Sequence, residues 1–355
     1  MDLQSEASRE TRILIPRHVS AEKALTDQNN AVNTTFLCHS YTLQPDFRTY
    51  VEALQVYGWV VWSCALLAVC VVCALYAFNL RSALRHWRSS FHHAAVVLAV
   101  YPVVSLCAFI ALVVPRAQLL SEAMAQEAVM LGLYHFYCNV ISECGGPEQI
   151  VRRSEGSQLE TRVLPCCFWP CCAIPQPKLQ QRHFKWLRYL LLQVPIVQGL
   201  IYVIILILRA EDINYVYLQP LVATSILSGI WGIMMCLKAV EATGGRPRPR
   251  FLALQFVLII VKVQCGVAKI LPTTARLPCL VALNPAVVVD LINNTVTILE
   301  MMLLSIWAWR LYKIPPAFNN AKIKMNAYSL LSSLASLART DNHFVSGKLR
   351  EECCL

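Results

Sequence analysis

The stretch AQLLSEAMAQEAVMLGLYHFYCNVIS, Ala117 to Ser142, decides the fold. It is long enough to cross a bilayer as a helix, yet Glu122, Glu127 and His135 make hydropathy alone a poor guide to it. Its neighbours are plainer. Leu54–Phe78, His93–Val114, Leu187–Leu208, Tyr217–Leu237, Phe251–Leu271 and Ala286–Trp309 are apolar runs of the length a crossing helix needs, about 20 residues at about 1.5 Å each. Whether the chain crosses six times or seven therefore rests on residues 117–142.

Basic residues in the short connections settle the expectation, because cytoplasmic loops collect Lys and Arg. Arg81, Arg85 and Arg88 follow the first run, and Arg152, Arg153, Arg162, Lys178, Arg182, Lys185 and Arg188 follow residues 117–142. Lys238, Arg246, Arg248 and Arg250 follow the fifth run, and Arg310 and Lys313 the last. The alternate connections hold only Arg116, Arg209 and Arg276. This alternation survives only if 117–142 is itself a crossing. The reading is an all-α, polytopic membrane protein of seven transmembrane helices, with the N-terminus outside and the C-terminus cytoplasmic. Residues 1–53 form an extracellular segment, 54–309 a seven-helix membrane domain with a Cys-rich cytoplasmic loop at 147–186, and 310–355 a cytoplasmic tail.

Composition agrees. Hydrophobic residues make up 57% and charged residues 15% of the chain, against about 25% charged in soluble domains. The net charge of +10 is dispersed through the loops, so no nucleic-acid partner is implied. The first 50 residues lack the apolar stretch of a signal peptide, so the first crossing is expected to act as its own insertion signal. Most of the 16 cysteines lie in apolar runs or in one cytoplasmic cluster, which is not the pattern of a disulfide framework.

That cluster, Pro165-Cys166-Cys167-Phe168-Trp169-Pro170-Cys171-Cys172, lacks the Cys-x-x-Cys knuckles of a zinc site. Palmitoylation of Cys166, Cys167, Cys171 and Cys172, holding the loop to the inner leaflet, is the better reading, with unmodified thiols as the plain alternative. The terminal Glu352-Cys353-Cys354-Leu355 is not a prenylation box, though it is open to acylation. Leu330, Leu331, Leu334 and Leu337 recur at helical spacing and suit a helix on the membrane surface or against a partner. Asn33-Thr34-Thr35 is a glycosylation acceptor in the outer segment. The Asn293-Asn294-Thr295 triplet lies inside the last crossing, beyond reach of the modifying enzymes.

Polar groups inside the crossings carry the functional signal, since a charge at the bilayer centre costs about 2.5–3.5 kcal/mol on insertion scales. In the sixth crossing Gln255, Lys262 and Lys269 recur every seven residues, close to one face. In the seventh, Asp290, Asn293, Asn294, Thr297 and Glu300 make a stripe. The two crossings run in opposite directions, which brings Lys269 near the level of Asp290 and Lys262 near that of Asn294. Either the stripes simply pair with each other, or they line a solute pathway; the two readings coexist. Glu127 and His135 share a face of the third crossing and join the candidate set. No nucleotide loop, hydrolase elbow or metal constellation occurs, so neither catalysis nor a cofactor is implied.

The seven-crossing plan suggests receptors coupled to G proteins, but Ser142-Glu143-Cys144-Gly145-Gly146 stands where their Asp-Arg-Tyr would be, and the last crossing lacks Asn-Pro-x-x-Tyr. The chain instead resembles the organic solute transporter alpha subunit family, and within it the invertebrate members. The resemblance rests on Tyr134–Tyr137 running into Glu143-Cys144-Gly145-Gly146, on the cysteine cluster, on Arg250-Phe251 and Gln264 in the sixth crossing, and on Asn293 with Ile298-Leu299-Glu300 in the seventh. It covers about residues 36–313. It implies facilitated, sodium-independent movement of bile acids, steroid conjugates and similar amphipathic anions across the plasma membrane. It also implies, for vertebrate members, a small single-span beta subunit; self-association is the alternative here. A disulfide between Cys38 and Cys279, both outside in this topology, follows from the same resemblance. The rival is a non-transporting receptor or scaffold acting in membrane trafficking or lipid handling. The expected pathway residues are Glu127, His135, Lys262, Gln264, Lys269, Asp290, Asn293, Asn294 and Glu300.

Overall fold

The computed structural model describes residues 45–86, 90–154, 158–163, 176–211, 213, 216–245, 247–274 and 284–313. The expected glycosylation site at Asn33, the Cys166–Cys172 cluster, the Cys38–Cys279 pair and the tail helix lie outside the described residues. Within them the regular structure is helical, apart from an isolated bridge pairing Gln158 with Lys178.

The helices are α1 (Phe47–His86), α2 (Phe91–Val113), α3 (Gln118–Glu143), α4 (Pro147–Arg153), α5 (Gln181–Ala210), α6 (Gln219–Ala242), α7 (Arg248–Ile259), α8 (Cys265–Thr274) and α9 (Pro285–Tyr312). A π turn, Ile260–Gln264, joins α7 to α8, so the sixth apolar run is one rod with a local change of winding. Six candidate spans are long and apolar enough to cross a bilayer: Phe47–Arg85, Phe91–Val113, Gln181–Ala210, Val216–Ala242, Arg248–Pro272 and Pro285–Tyr312. The chain is a multi-pass membrane protein. Residues 117–142 do form a helix, α3, but its polar content keeps it out of that set.

Local chemistry places the helix ends. Residues 115–117 make a 3-10 turn between α2 and α3, opened by Pro115, whose ring cannot continue the ladder of α2. α9 starts at Pro285, a residue suited to a first helical turn, and Asn284 Oδ1 accepts the Ala286 N–H at 2.9 Å. α3 stops because Gly145 and Gly146 take φ of 87° and 96°, a region that L side chains rarely enter. The Gly146 N–H returns to Ile141 O at 3.0 Å, satisfying a terminal carbonyl. In this corner burial pushes the Cys144 thiol up to about 12, so it packs as a neutral group. α1 is kinked at Gln55, where φ is 46° and ψ −131°.

Packing divides the chain into two units. The first contains the residues up to Val72, Pro102–Gln126 and Val257–Leu303. The second contains Cys73–Tyr101, Glu127–Phe256 and the residues from Leu304 onward. In the second, α5 and α6 pack at close range through glycine: a Cβ on Gly229 would sit 2.6 Å from Val194 Cγ2. Gln198, fully buried, spends its amide on Val222 O at 3.2 Å.

The strongest polar contact of the second unit is a fork at the end of α3. Arg250 donates to both Glu143 oxygens, at 2.7 and 2.9 Å, and Asn139 Nδ2 donates to the same carboxylate at 2.5 Å. The Arg250 guanidinium also lies over the Tyr312 ring, 5.6 Å from its centre. The side chains are 7% and 12% exposed, so removing one charge strands the other in a poor solvent. Arg250→Ala is expected to lower the stability of detergent-solubilised protein by about 3–5 kcal/mol. The double variant Glu143→Gln/Arg250→Ala should recover part of that loss in the same thermal-unfolding measurement.

Candidate functional site

The first unit holds a ladder of polar side chains built on one stripe of α3. Gln118, Glu122 and Gln126 recur every four residues, so they stack on successive turns. Each meets one of the residues that the sequence marks in the sixth and seventh runs. Asn294 Nδ2 donates to Gln118 Oε1 at 2.8 Å, Lys269 Nζ to Glu122 Oε1 at 2.8 Å, and Lys262 Nζ to Gln126 Oε1. Gln126 Nε2 closes the stripe on itself by donating to Glu122 Oε1 at 3.0 Å.

The neighbouring stripe of α9 is also engaged. Asn293 Nδ2 approaches Cys265 Sγ at 3.6 Å, and Thr297 Oγ1 donates to Asn293 O at 2.8 Å. In the amide orientation that satisfies both partners, Gln264 Nε2 donates to Glu300 Oε2 at 2.9 Å. Asp290 lines a small recess with Tyr50, Gln118 and Pro115. Beside the ladder is a partly open cavity of about 30 Å³, more than the roughly 10–15 Å³ that one ordered water needs.

Seven of the nine expected residues therefore fall in this unit: Lys262, Gln264, Lys269, Asp290, Asn293, Asn294 and Glu300. Glu127 and His135 do not. Both belong to the second unit, where His135 Nδ1 lies 2.9 Å from His93 Nδ1 and the Glu127 carboxyl lies against Gly199, 3.7 Å from where a Cβ would be. Lys269 is close enough to Asp290 for their charges to interact, in keeping with their matched levels, but both lysines also hydrogen-bond to α3, which level-matching along ideal helices does not anticipate. The π turn accounts for the difference. It holds one residue more than an α turn, and so rotates everything beyond it relative to a face extrapolated at 3.6 residues per turn.

Gln118, Glu122, Gln126 and Cys265 are the contributors that reasoning from the sequence passes over. Their signal is present: Gln-x-x-x-Glu-x-x-x-Gln is the one polar stripe in the first half of α3. Because Glu122 and Glu127 are five apart, they cannot share that stripe, and Glu127 belongs to a different face of α3.

Comparison with known proteins identifies the ladder's owner. The family model of the organic solute transporter Ostalpha matches residues 61–317, well over half of the chain. The chain belongs to the organic solute transporter alpha family. This is a family of transporters and not of enzymes. Among curated proteins, the organic solute transporter alpha-like protein of Drosophila melanogaster is 23% identical over 228 residues, 62% of this chain and 69% of its own length. The organic solute transporter alpha-like protein 2 of Caenorhabditis elegans is 26% identical over 157 residues, 42% of this chain and 45% of its own length. No solved structure gives a significant match. The matched residues of the family model include α3, the α7–α8 rod and α9, and with them the whole ladder.

The buried Gln118–Asn294 rung yields a direct test. Asn294 is 6% exposed, and Asn294→Leu leaves a carbonyl oxygen facing an alkyl group. A double-mutant cycle with Gln118→Leu is expected to show a coupling of about 1 kcal/mol in thermal unfolding; additive losses would mean that the two amides do not act as a pair.

Proposed function

We propose that this family member is a plasma-membrane carrier that moves amphipathic organic anions, such as steroid conjugates or bile-acid-like molecules, down their gradient by facilitated diffusion. The single observation that carries the proposal is the ladder: charged and amide side chains from three helices converge where apolar packing would be cheaper. In this reading Lys262 and Lys269 receive the anionic head group, Asn293 and Asn294 donate hydrogen bonds to it, Asp290 is the carboxylate that balances the lysines when cargo is absent, and Gln264 with Glu300 sets the register of the α7–α8 rod on α9.

The lysines are not equivalent. Lys269 is held by a carboxylate and Lys262 by a neutral amide. Exchanging an amide acceptor for a sulfate or carboxylate strengthens the hydrogen bond, whereas exchanging one carboxylate for another does not. Lys262 is the proposed first contact for cargo because it lies in the π turn, a distortion of the rod of the kind that is concentrated at functional positions.

The topology proposed with this function is seven crossings, N-terminus outside and C-terminus in the cytoplasm, with α3 as the third crossing. Two observations support it. The loop charges alternate only on that count, and the Lys262–Gln126 and Lys269–Glu122 rungs run antiparallel, as a third and a sixth crossing must. Residues 1–53 are then the outer segment, 54–309 the membrane domain and 310–355 the cytoplasmic tail. A single-span partner or self-association, acylation of the 166–172 cysteines, glycosylation at Asn33 and the Cys38–Cys279 bridge complete the proposal. Glu127 and His135 keep a secondary place in it, through the second unit.

Two experiments test this. An epitope at the N-terminus should be stained on intact cells and one at the C-terminus only after permeabilisation; six crossings would put both on one side. Purified protein in vesicles should equilibrate a labelled steroid sulfate without an ion gradient, and Lys262→Ala should remove most of that uptake at unchanged abundance. Unchanged uptake removes Lys262 from the pathway, and absence of flux both alone and with a candidate single-span partner favours the scaffold reading.

A further inference from the structure

The partly open cavity beside the ladder contains an unmet demand. Glu122, which lines it, has a side chain only 10% exposed. Its Oε1 takes the Lys269 and Gln126 donors, while Oε2 is buried with no hydrogen-bond partner among the described residues. An orphaned carboxylate oxygen at such burial costs more than any other polar atom in the unit.

The other oxygens around the cavity are neutral and come from two helices: Ser121 and Gln118 on α3, Asn294 and Thr297 on α9. Asn294 uses its Nδ2 on Gln118 and Thr297 uses its hydroxyl proton on Asn293 O. Those two residues therefore offer the cavity lone pairs, and the Ser121 hydroxyl oxygen can turn its own toward the same point. One carboxylate oxygen with several neutral oxygens is a donor set for a hard cation. Among the described residues of the facing stripes Glu122, Asp290 and Glu300 stand against Lys262 and Lys269, one positive charge short in their ordinary ionised forms, and Glu122 is the charged residue that lines the cavity itself. A lone carboxylate with Lys269 at 2.8 Å is too weakly negative for a divalent ion, and no group of three His, Cys, Asp or Glu suited to a metal occurs among the described residues.

We propose that this cavity is a sodium site, in which Glu122 Oε2 and the side-chain oxygens of Ser121, Asn294 and Thr297 replace the hydration shell of one bound ion. The ion is a resident charge that completes the ladder. It needs no sodium gradient, and it does not rest on the identity of the cargo. A proton would meet the same charge count; the groups facing Glu122 that would feel it are Lys262, Lys269 and Cys265 from the rod, Asp290 from α9, Cys107 from α2 and Tyr50 from α1.

The test is the thermal midpoint of the full-length detergent-purified protein as sodium chloride replaces N-methylglucamine chloride at constant ionic strength. The midpoint should rise and saturate with sodium, with potassium weaker because the cavity is small. Glu122→Gln should abolish the response whatever its own midpoint. Lys269→Gln, which removes a neighbouring positive charge, should lower the half-saturating concentration. Ser121→Ala keeps every charge and should raise it about tenfold, the size expected of one lost ligand; it serves also if Glu122→Gln does not fold. No sodium-specific shift, an equal shift in Glu122→Gln, or a midpoint that follows pH and not sodium overturns the proposal. Flux plays no part in this readout, so its failure and that of the transport reading are separate results.

Discussion

The Glu122–Lys269 pair sets the terms for the first unit. An ionised carboxylate in a medium without water must be met by a cation or by donors, and the cost of leaving it unmet is several kcal/mol. α3 carries that carboxylate between two glutamines, too polar a stripe to face lipid. The stripe must therefore be covered, and only the rod and α9 bring groups of matching chemistry. Two lysines and an asparagine fill that need one turn at a time. The arrangement of α3, α8 and α9 in this unit follows from satisfying those rungs, because apolar surface alone would accept many rotations of each helix.

The π turn is what lets a single rod serve two neighbours. Lys262 and Gln264 are both inside it, two residues apart, and in an α-helix such a pair points to well-separated directions. Here one reaches Gln126 on α3 and the other Glu300 on α9. Wider winding carries a cost in backbone hydrogen bonding and is concentrated at functional positions in proteins generally. Its coincidence with the ladder's lysine gives the distortion a reason: the rod has polar obligations on two sides and meets both.

Much of this was legible in the residues. The apolar runs mark the helices because nothing else gives lengths near 25 residues without charge, and α1 is the clearest instance. The α9 stripe was legible because Asp290, Asn293, Asn294, Thr297 and Glu300 obey one period. The stripe of α3 that meets the lysines was not legible, because two glutamates five residues apart offer two faces and periodicity does not say which of them does so. Matching levels along α9, which set Lys269 near Asp290 and Lys262 near Asn294, gave no sign of the hydrogen bonds that both lysines make to α3. The Arg250 fork shows the complementary case: Glu143 and Arg250 were both visible as family-like positions, but 107 residues separate them, and no local pattern links residues so distant.

Family membership puts the chain among organic solute transporters; for the proposed anionic cargo, the ladder bears on how one chain could hold both an ammonium for an anion and the carboxylates that compete for it. If every lysine were tied to a carboxylate, an anionic head group would gain nothing by entering, since it would replace one charge-assisted bond with another. If none were, the bare ammonium groups would be too costly to keep in the membrane. Dividing the pair resolves the conflict. Lys269 donates to the Glu122 carboxylate and Lys262 to the Gln126 amide oxygen, so the two ammonium groups meet acceptors of different charge, and the proposed cargo site makes use of the second. The proposed ion beside Glu122 fits the same logic, because it relieves the carboxylate without drawing on Lys262.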